Sequence, residues 1–341
     1  MTMARAILGN GLEVGAIGFG AMALSGVYGA ADAAEALTTL HRALDIGVTL
    51  IDTADIYGDG ENERLLARLL ADRRDEAQVA TKFGITGSIA EKTMRARNDP
   101  AYVRQAVDAS LQRLKVDTID LYYLHRREVT VPIEEVVGAM AELVTAGKVR
   151  HLGLSEVTAD ELEIAHAEHP IAAVQSEWSV WSRDVERAVA PAAARLGVGF
   201  VPYSPLGRGF LTGTLTDPRR FAGDWRAGLT RFTGDAFTAN QAIVRALAAI
   251  GEELSATPAQ VSLAWLRARG DTLGLPVIPI PGTRRPERVS ENAASIDVHL
   301  TEGHVRTLDA ASRHVVGERS DFDDPNWTSD TRERSQDTRR R

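Results

Sequence analysis

Asp52, Tyr57, Lys82 and His125 are the residues whose types and spacing point to chemistry. The stretch Leu50 to Gly58, LIDTADIYG, reads as a short apolar strand that ends in carboxylates and reaches a tyrosine and a glycine within one loop. One strand end can therefore aim Asp52 and Tyr57 into a single cavity. A phenol alone, with a pKa of about 10, is a weak acid near neutrality and needs neighbours to deliver a proton. A cation beside it stabilises the phenolate, and an imidazole can hold the reacting oxygen. The strand Gln78 to Lys82 (QVATK) ends in such a cation, and Ile119 to His125 (IDLYYLH) ends in such an imidazole. Each residue also has an ordinary use: Asp52 as a loop cap, Tyr57 as a rim aromatic, Lys82 as a solvated strand end, His125 as a core histidine. Only a fold that gathers these strand ends decides for chemistry.

The elements that must do the gathering alternate. Gly9-Asn10-Gly11 between Ala6 to Leu8 and Leu12 to Val14 predicts an N-terminal hairpin. Counting strands followed by helices from Ala16 to Phe19 onward gives eight units, the count of a (β/α)8 TIM barrel, and the inner strands are continuous apolar runs. An open doubly wound sheet is the alternative. A barrel places chemistry at the carboxyl ends of its strands, where Asp52, Lys82, His125, Ser155, Gln175 and Tyr203 all fall. Gly18, Gly20 and Ala23 fit a loose dinucleotide turn, yet Leu24 to Gly29 prolong a loop where a Rossmann turn would open a helix. Residues 204–237 read as a long loop, and two helices are expected to follow from Asn240 and Pro258. The expected organisation is one barrel over 1–316 and a polar tail over 317–341. The tail is charged, poor in aliphatics and expected to be largely disordered, with Phe322 and Trp327 as its candidates for docking.

Composition narrows the function classes. The chain of 341 residues is 44% hydrophobic, enough for a sizeable core, and its net charge of −8 argues against a general nucleic-acid binder. It has no cysteine, which removes disulfides, thiolate catalysis and Cys-ligated metals. No apolar run approaches the roughly 20 residues that span a bilayer, and no signal peptide is visible, so a cytoplasmic enzyme is expected. His166 and His169 share a helix without a third ligand nearby and read as solvated surface, so no metal is assigned.

The residues then resemble a known family. LGNGLEVGAIGFGAM, IDTADIYG, ATKFG, IDLYYLHR, GKVRHLGLSE, VQSEWSVWSRD, VPYSPLGRGFLTG and IPIPGTRRPERVSENAAS run, in order, like the motifs of the aldo-keto reductases from about residue 5 to 296. The forms YSPLGRGFLTG and IPGTRR look like the bacterial and plant branch related to aldehyde and pyridoxal reductases and, more distantly, to potassium-channel β subunits. The resemblance implies an NADPH-dependent, metal-free reduction of aldehydes or ketones, with Tyr57 as proton donor, Lys82 lowering the phenol pKa, Asp52 fixing Lys82 and His125 orienting the carbonyl.

It also implies a cofactor site. Gly20, Ala21 and Met22 would lie under the nicotinamide ribose and ring, Ser155, Glu156 and Gln175 at its carboxamide, and Tyr203 on its face. Ser204, Leu206 and Arg208 would clamp the pyrophosphate; Gly282, Thr283, Arg284 and Arg288 would take the 2′-phosphate end, and Glu291 and Asn292 the adenine. Many relatives have asparagine where Glu156 stands. Here His125, Arg126, Arg127, Glu128 replace the usual HRxD, and Trp178 replaces a common tyrosine. Tyr28, Trp178, Trp181 and Trp225, with Met22, are candidates for an apolar substrate pocket, or for packing at the barrel top. The partner expected is a small carbonyl compound, with homo-oligomerisation left open. Two rival readings stand beside this one: an NADP(H)-binding redox-sensing or regulatory subunit with slow turnover, and a metal-dependent barrel hydrolase, for which Asp52 and His125 supply too few ligands.

Overall fold

The computed structural model describes residues 3–29, 32–88, 91, 93–221, 224–320, 324 and 327–340. The strands β1 (Arg5–Leu8) and β2 (Leu12–Gly15) form the hairpin expected at Gly9-Asn10-Gly11. Then come β3 (Phe19–Gly20), α1 (Ala33–Asp45), β4 (Leu50–Asp52), α2 (Glu61–Arg73) and β5 (Gln78–Phe83). A small antiparallel pair, β6 (Ile85–Thr86) and β7 (Arg95–Ala96), precedes α3 (Pro100–Leu114). The alternation resumes with β8 (Ile119–Leu124), α4 (Ile133–Thr145), β9 (Val149–Ser155), α5 (Ala159–Glu168), β10 (Ile171–Glu177), α6 (Val189–Leu196) and β11 (Gly199–Tyr203). Five further helices follow: α7 (Gly234–Leu254), α8 (Pro258–Leu273), α9 (Pro286–Ala293), α10 (Glu302–Ser312) and α11 (Ser329–Arg340). Local chemistry sets several starts. Thr158 and Thr257 make capping boxes with Glu161 and Gln260, and Pro258 and Pro286 sit in first turns, where a missing N–H costs nothing.

Seven strands pair in parallel in the order β11-β10-β9-β8-β5-β4-β3. The eighth position belongs to residues 276–281, PVIPIP, whose three prolines lack ladder donors. Its remaining groups bond on both sides. Ile278 N donates to Phe200 O at 2.9 Å and Ile280 N to Pro202 O at 3.1 Å, while Gly18 N donates to Pro279 O at 2.9 Å. The barrel is thus closed by a segment too proline-rich to be a regular strand. The same contact explains the glycines of the loose dinucleotide pattern. A Cβ on Gly18 would come within 2.8 Å of Ile280 Cγ2, and one on Gly20 within 2.7 Å of Ile280 O. Gly20 leads into a short 3-10 turn, Ala21–Ser25, and α1 begins only at Ala33. Both the Rossmann turn and the open sheet are therefore set aside, and the architecture is the expected (β/α)8 barrel.

Leu50, Ala80, Leu121, Tyr123, Val201 and Ile278 are among the buried side chains filling the barrel. The hairpin plugs its amino end, with Leu8 pressed so close to Gly199 that a Cβ there would sit 2.2 Å from Leu8 Cδ2. The other end is left for the site.

Two expectations are corrected by the fold. Residues 204–237 hold 3-10 turns at Gly207–Thr212, Pro218–Phe221, Trp225–Gly228 and Thr230–Phe232, and α7 starts at Gly234, earlier than Asn240. The tail, expected to be largely disordered, instead docks: Arg319, Trp327, Ser329, Arg332 and Glu333 are buried, and α11 is helical despite its polarity. Its order comes from ion pairs and hydrogen bonds to the barrel top, which composition does not report. Phe322 lies outside the described residues.

Candidate active site

Asp52 closes β4 and Lys82 lies one residue before the end of β5, and parallel pairing of these neighbours sets the two side chains together. Lys82 Nζ is 2.5 Å from Asp52 Oδ1 and donates to Thr53 O at 2.7 Å, while Gln175 Nε2 donates to Asp52 Oδ2 at 2.9 Å. Lys82 is fully buried. Burial alone would lower its ammonium pKa, but Asp52 and Tyr57 outweigh it and hold the group above its ordinary value. The site therefore keeps a permanent buried cation.

That cation faces the phenol. Lys82 Nζ lies 5.1 Å from the centroid of the Tyr57 ring, and the His125 ring meets Tyr57 edge-on, with centroids 5.9 Å apart. All four residues expected to act together are together. One detail differs from expectation: burial pushes the Tyr57 hydroxyl above 10.0, and Lys82 only moderates the rise. For His125, burial comes first and the neighbouring Arg126 and Lys82 charges second, and all hold its pKa well below 6.5. The imidazole is neutral at physiological pH, and its Nδ1 has no protein partner among the described residues. A neutral imidazole beside a protonated phenol can present hydrogen bonds to one oxygen.

The loop after β4 is held by Asn62 at the start of α2. Its Oδ1 accepts from Thr53 Oγ1 at 2.6 Å, and its Nδ2 donates to Ala21 O at 3.0 Å and Ser25 Oγ at 2.7 Å. One buried amide thus ties the Asp52–Tyr57 loop to the turn containing Ala21 and Met22.

The other strand ends carry the remaining expected residues. Ser155 ends β9 and its Oγ accepts from Arg126 Nη1 at 3.2 Å; Gln175 lies in β10; Tyr203 ends β11. Glu156, Ser204 and Arg208 adopt left-handed backbone with φ of 51°, 48° and 55°, a cost that proteins tolerate mainly at sites that need the geometry. Leu206 O accepts from the amides of Gly209 and Leu211, which folds this stretch into a tight turn. Arg208 is drawn to Glu177 at 3.0 Å and to Arg319 O at 2.9 Å.

Across the barrel, Gly282 approaches Gly20 so closely that a Cβ on it would lie 2.6 Å from Gly20 O. Thr283 Oγ1 accepts from Arg285 N at 3.2 Å before α9, Arg284 O accepts from Thr39 Oγ1 at 2.9 Å, and Arg288 pairs loosely with Glu291 at 3.9 Å. Asn292 is buried in the same helix. Gly20, Asp52, Lys82, His125, Ser155, Tyr203 and Gly282 each lie at or next to the carboxyl end of a barrel segment.

The family comparison can now be set beside this geometry. Residues 16–313 match the aldo/keto reductase family. The chain belongs to that family. It is 40% identical over 301 residues to probable aldo-keto reductase 1 of Glycine max, covering 88% of this chain and 86% of that protein. The glycerol dehydrogenase of Gluconobacter oxydans superposes with a TM-score of 0.80 at 29% identity, covering 94% of this chain and 97% of its own. An aldo-keto reductase from Bacillus halodurans superposes with a TM-score of 0.70 at 23% identity, over 94% and 98% of the two chains, and speaks for the fold alone. Aldo-keto reductases are oxidoreductases that act on small carbonyl compounds with a nicotinamide cofactor.

The substrate-pocket residues fare unevenly. Trp178 is fully buried, packed edge-on against Phe200 and Trp265 at 5.0 and 6.5 Å, with Nε1 donating to Glu186 at 3.0 Å. Trp181 stacks on Phe210 at 4.7 Å beneath Gly207 and is 4% exposed. Both pack the barrel top and neither lines an open pocket. We predict that Trp178→Ala costs about 3–5 kcal/mol in urea unfolding, the scale of a buried aromatic deletion. Tyr28 and Trp225 do meet at the rim, 6.0 Å apart, with Arg226 over Tyr28 and Arg208 over Trp225. Met22 lies in the neighbouring turn. Glu128, in the altered HRxD stretch, serves loop packing by accepting from Asn98 N at 2.7 Å.

Arg319 and Asn62 had no sequence signal as site residues in this aldo-keto reductase. Asn62 lies among polar residues at a helix start, and Arg319 lies in a tail whose composition favours disorder. Among the described residues no group of three His, Cys, Asp or Glu gathers as a metal site, and no helix is long and apolar enough to cross a membrane. His166 Nδ1 accepts from Ile171 N at 3.2 Å, a structural use.

Proposed function

We propose that this aldo-keto reductase reduces aldehydes and ketones to alcohols with NADPH, Tyr57 donating the proton. The observation that carries the reading is the fully buried Lys82, paired to Asp52 at 2.5 Å and turned toward the Tyr57 ring. A structural ion pair has no need of a phenol and a neutral imidazole beside it. The residues present also fit the cofactor. Gly20 and Gly282 let the barrel-closing segment and the turn after β3 approach closely, a Cβ on Gly20 meeting Ile280 O and one on Gly282 meeting Gly20 O, and Ser204 and Arg208 take the left-handed backbone of a kind that can bind phosphate. The start of α9, with Arg284 and Arg288, suits a further anion.

Bound there, NADPH supplies the hydride to the carbonyl carbon. The chain does the rest. His125 holds the carbonyl oxygen and Tyr57 gives it a proton, while Lys82 stabilises the phenolate that forms. Asp52, held by Gln175, keeps Lys82 charged and in place. Ser155 and Gln175 read the carboxamide, Tyr203 packs on the ring, Ser204, Leu206 and Arg208 hold the pyrophosphate, and Glu291 and Asn292 hold the adenine.

The choice of NADPH over NADH rests on Gly282 to Arg288. In the double variant Arg284→Ala with Arg288→Ala, calorimetry is expected to show NADPH affinity falling about ten- to a hundredfold, while NADH changes less than about threefold. Equal losses would remove the 2′-phosphate role. The test of the whole reading is NADPH consumption by EDTA-treated protein with aromatic and aliphatic aldehydes, beside Tyr57→Phe. Turnover that disappears in the variant supports it; tight binding without turnover favours the regulatory-subunit reading.

A further inference from the structure

The carboxylate of Glu156 stands at the nicotinamide end and is already saturated. Its Oε1 accepts from Tyr203 Oη at 2.8 Å, Arg319 Nη1 at 2.9 Å and Glu177 N at 3.2 Å. Its Oε2 accepts from Arg319 Nη2 at 2.9 Å and from Ser329 N and Oγ at 2.9 and 3.1 Å. Six donors meet about four lone-pair sites, so nothing remains to accept a carboxamide N–H. Four of these contacts come from the C-terminal segment, and Arg332 adds one to Glu156 O. A buried carboxylate without a partner is costly; this one is matched to Arg319, which is itself 5% exposed and whose Nε also lies 3.0 Å from Asp184 Oδ2.

The docked segment reaches the reacting groups. Trp327 joins Ala54, Ile56 and Ile85 in a small buried cluster against which Tyr57 packs. Arg126 lies 5.5 Å above the Trp327 ring and 5.9 Å above Tyr203, and its Nη1 donates to His125 O at 2.7 Å. Tyr203 is held by the pair itself, donating to Glu156 and accepting from Arg319 at 3.4 Å.

Resting on the proposed reductase reading, we propose that Glu156 and Arg319 form a positioning latch: Glu156 binds the chain's own C-terminal segment in place of the cofactor carboxamide. The latch fixes the Tyr203 hydroxyl and sets Trp327 beside Tyr57, so it acts on substrate placement and leaves cofactor affinity largely alone. An asparagine at this position could read an amide; a glutamate pairs bidentately with a guanidinium.

The full-length protein tests this with three variants. Arg319→Met removes the charge and keeps the stem, Arg319→Lys keeps the charge without the fork, and Glu156→Gln with Arg319→Met removes both charges of that pair, Asp184 losing the same guanidinium in either Met variant. Hydrogen exchange over residues 327–333, NADPH affinity by calorimetry, and KM and kcat for one small and one bulky aldehyde are read for each. The latch predicts faster exchange in Arg319→Met and in the double variant, with KM for the bulky aldehyde changed about ten- to a hundredfold, the scale of a lost charge-assisted pair. NADPH affinity stays within about threefold, and Arg319→Lys recovers part of both effects. Loss of NADPH affinity with unchanged exchange would overturn the proposal and return Glu156 to the cofactor. Faster exchange with KM unchanged for both aldehydes would overturn it too, leaving a purely structural pair. Exchange and NADPH binding need no turnover, so absence of reductase activity would count against the functional reading and not against the docking.

Discussion

Tyr57→Phe is expected to reduce carbonyls about a hundred- to ten-thousand-fold more slowly while binding NADPH as the wild type does. The variant keeps the ring, and with it the edge-on contact to His125 at 5.9 Å and the cation 5.1 Å from its centroid, so packing is preserved. What disappears, on the proposed mechanism, is the proton that reaches the oxygen as hydride reaches carbon. The same group sets the pH dependence. Burial lifts the phenol above 10.0, so it stays protonated through neutrality, and His125, pushed well below 6.5 by burial and its cationic neighbours, stays neutral there. The reduction profile of kcat/KM should therefore be flat from about pH 7 to 9, without an inflection at the ordinary histidine value, and fall only as the phenol ionises. Steady-state rates of both proteins with one aldehyde, alongside NADPH titrations, check this. Equal turnover in the variant would remove Tyr57 from the chemistry, and an inflection near 6.5 would mean that His125 titrates.

The barrel and the meeting of Asp52, Tyr57, Lys82 and His125 were legible because both depend on short-range patterns. Apolar runs ending in Asp52, Lys82 and His125 specify strands whose carboxyl ends converge once the barrel closes, and the family motifs fall on those ends. The apolar residues of the closing segment, 276–280, give it the look of an ordinary strand, the eighth in the count. Prolines at 276, 279 and 281 leave it bonded through a few groups on each side, so only an isolated bridge to Phe200 marks it. Trp178 and Trp181 show a different limit. An aromatic in a strand-end motif can face a ligand or the core with the same local sequence, and only the Phe200, Trp265 and Phe210 rings around them decide. The tail was the least legible part. Its composition lacks the aliphatics that usually hold a helix down, and its order depends on Glu156, more than 160 residues away in the chain from Arg319. No local rule joins those two positions. The sequence marks the glutamate at 156 as a departure and carries no sign of its partner.

Lys82→Met is the second variant with a large expected effect, and it separates two roles of one residue. Removing the ammonium leaves Asp52 buried, 4% exposed in its side chain, with Gln175 as its remaining partner among the described residues, and leaves Thr53 O without its Lys82 donor. Breaking a buried pair from one side typically costs about 3–5 kcal/mol, because the remaining charge must stay desolvated or take up a proton. Chemical unfolding should show a loss of that size. The rate should also fall, since the cation proposed to stabilise the phenolate is gone. Combining Lys82→Met with Asp52→Asn removes the stranded charge, and most of the stability should return. Activity should not, because the phenol still lacks its cation. If stability and rate recovered together in the double variant, the pair would be structural and Lys82 would have no part in proton transfer. If stability returned while the rate stayed low, folding and chemistry would draw on the same ion pair for separable reasons: the fold needs the two charges matched, and the reaction needs the positive one beside Tyr57.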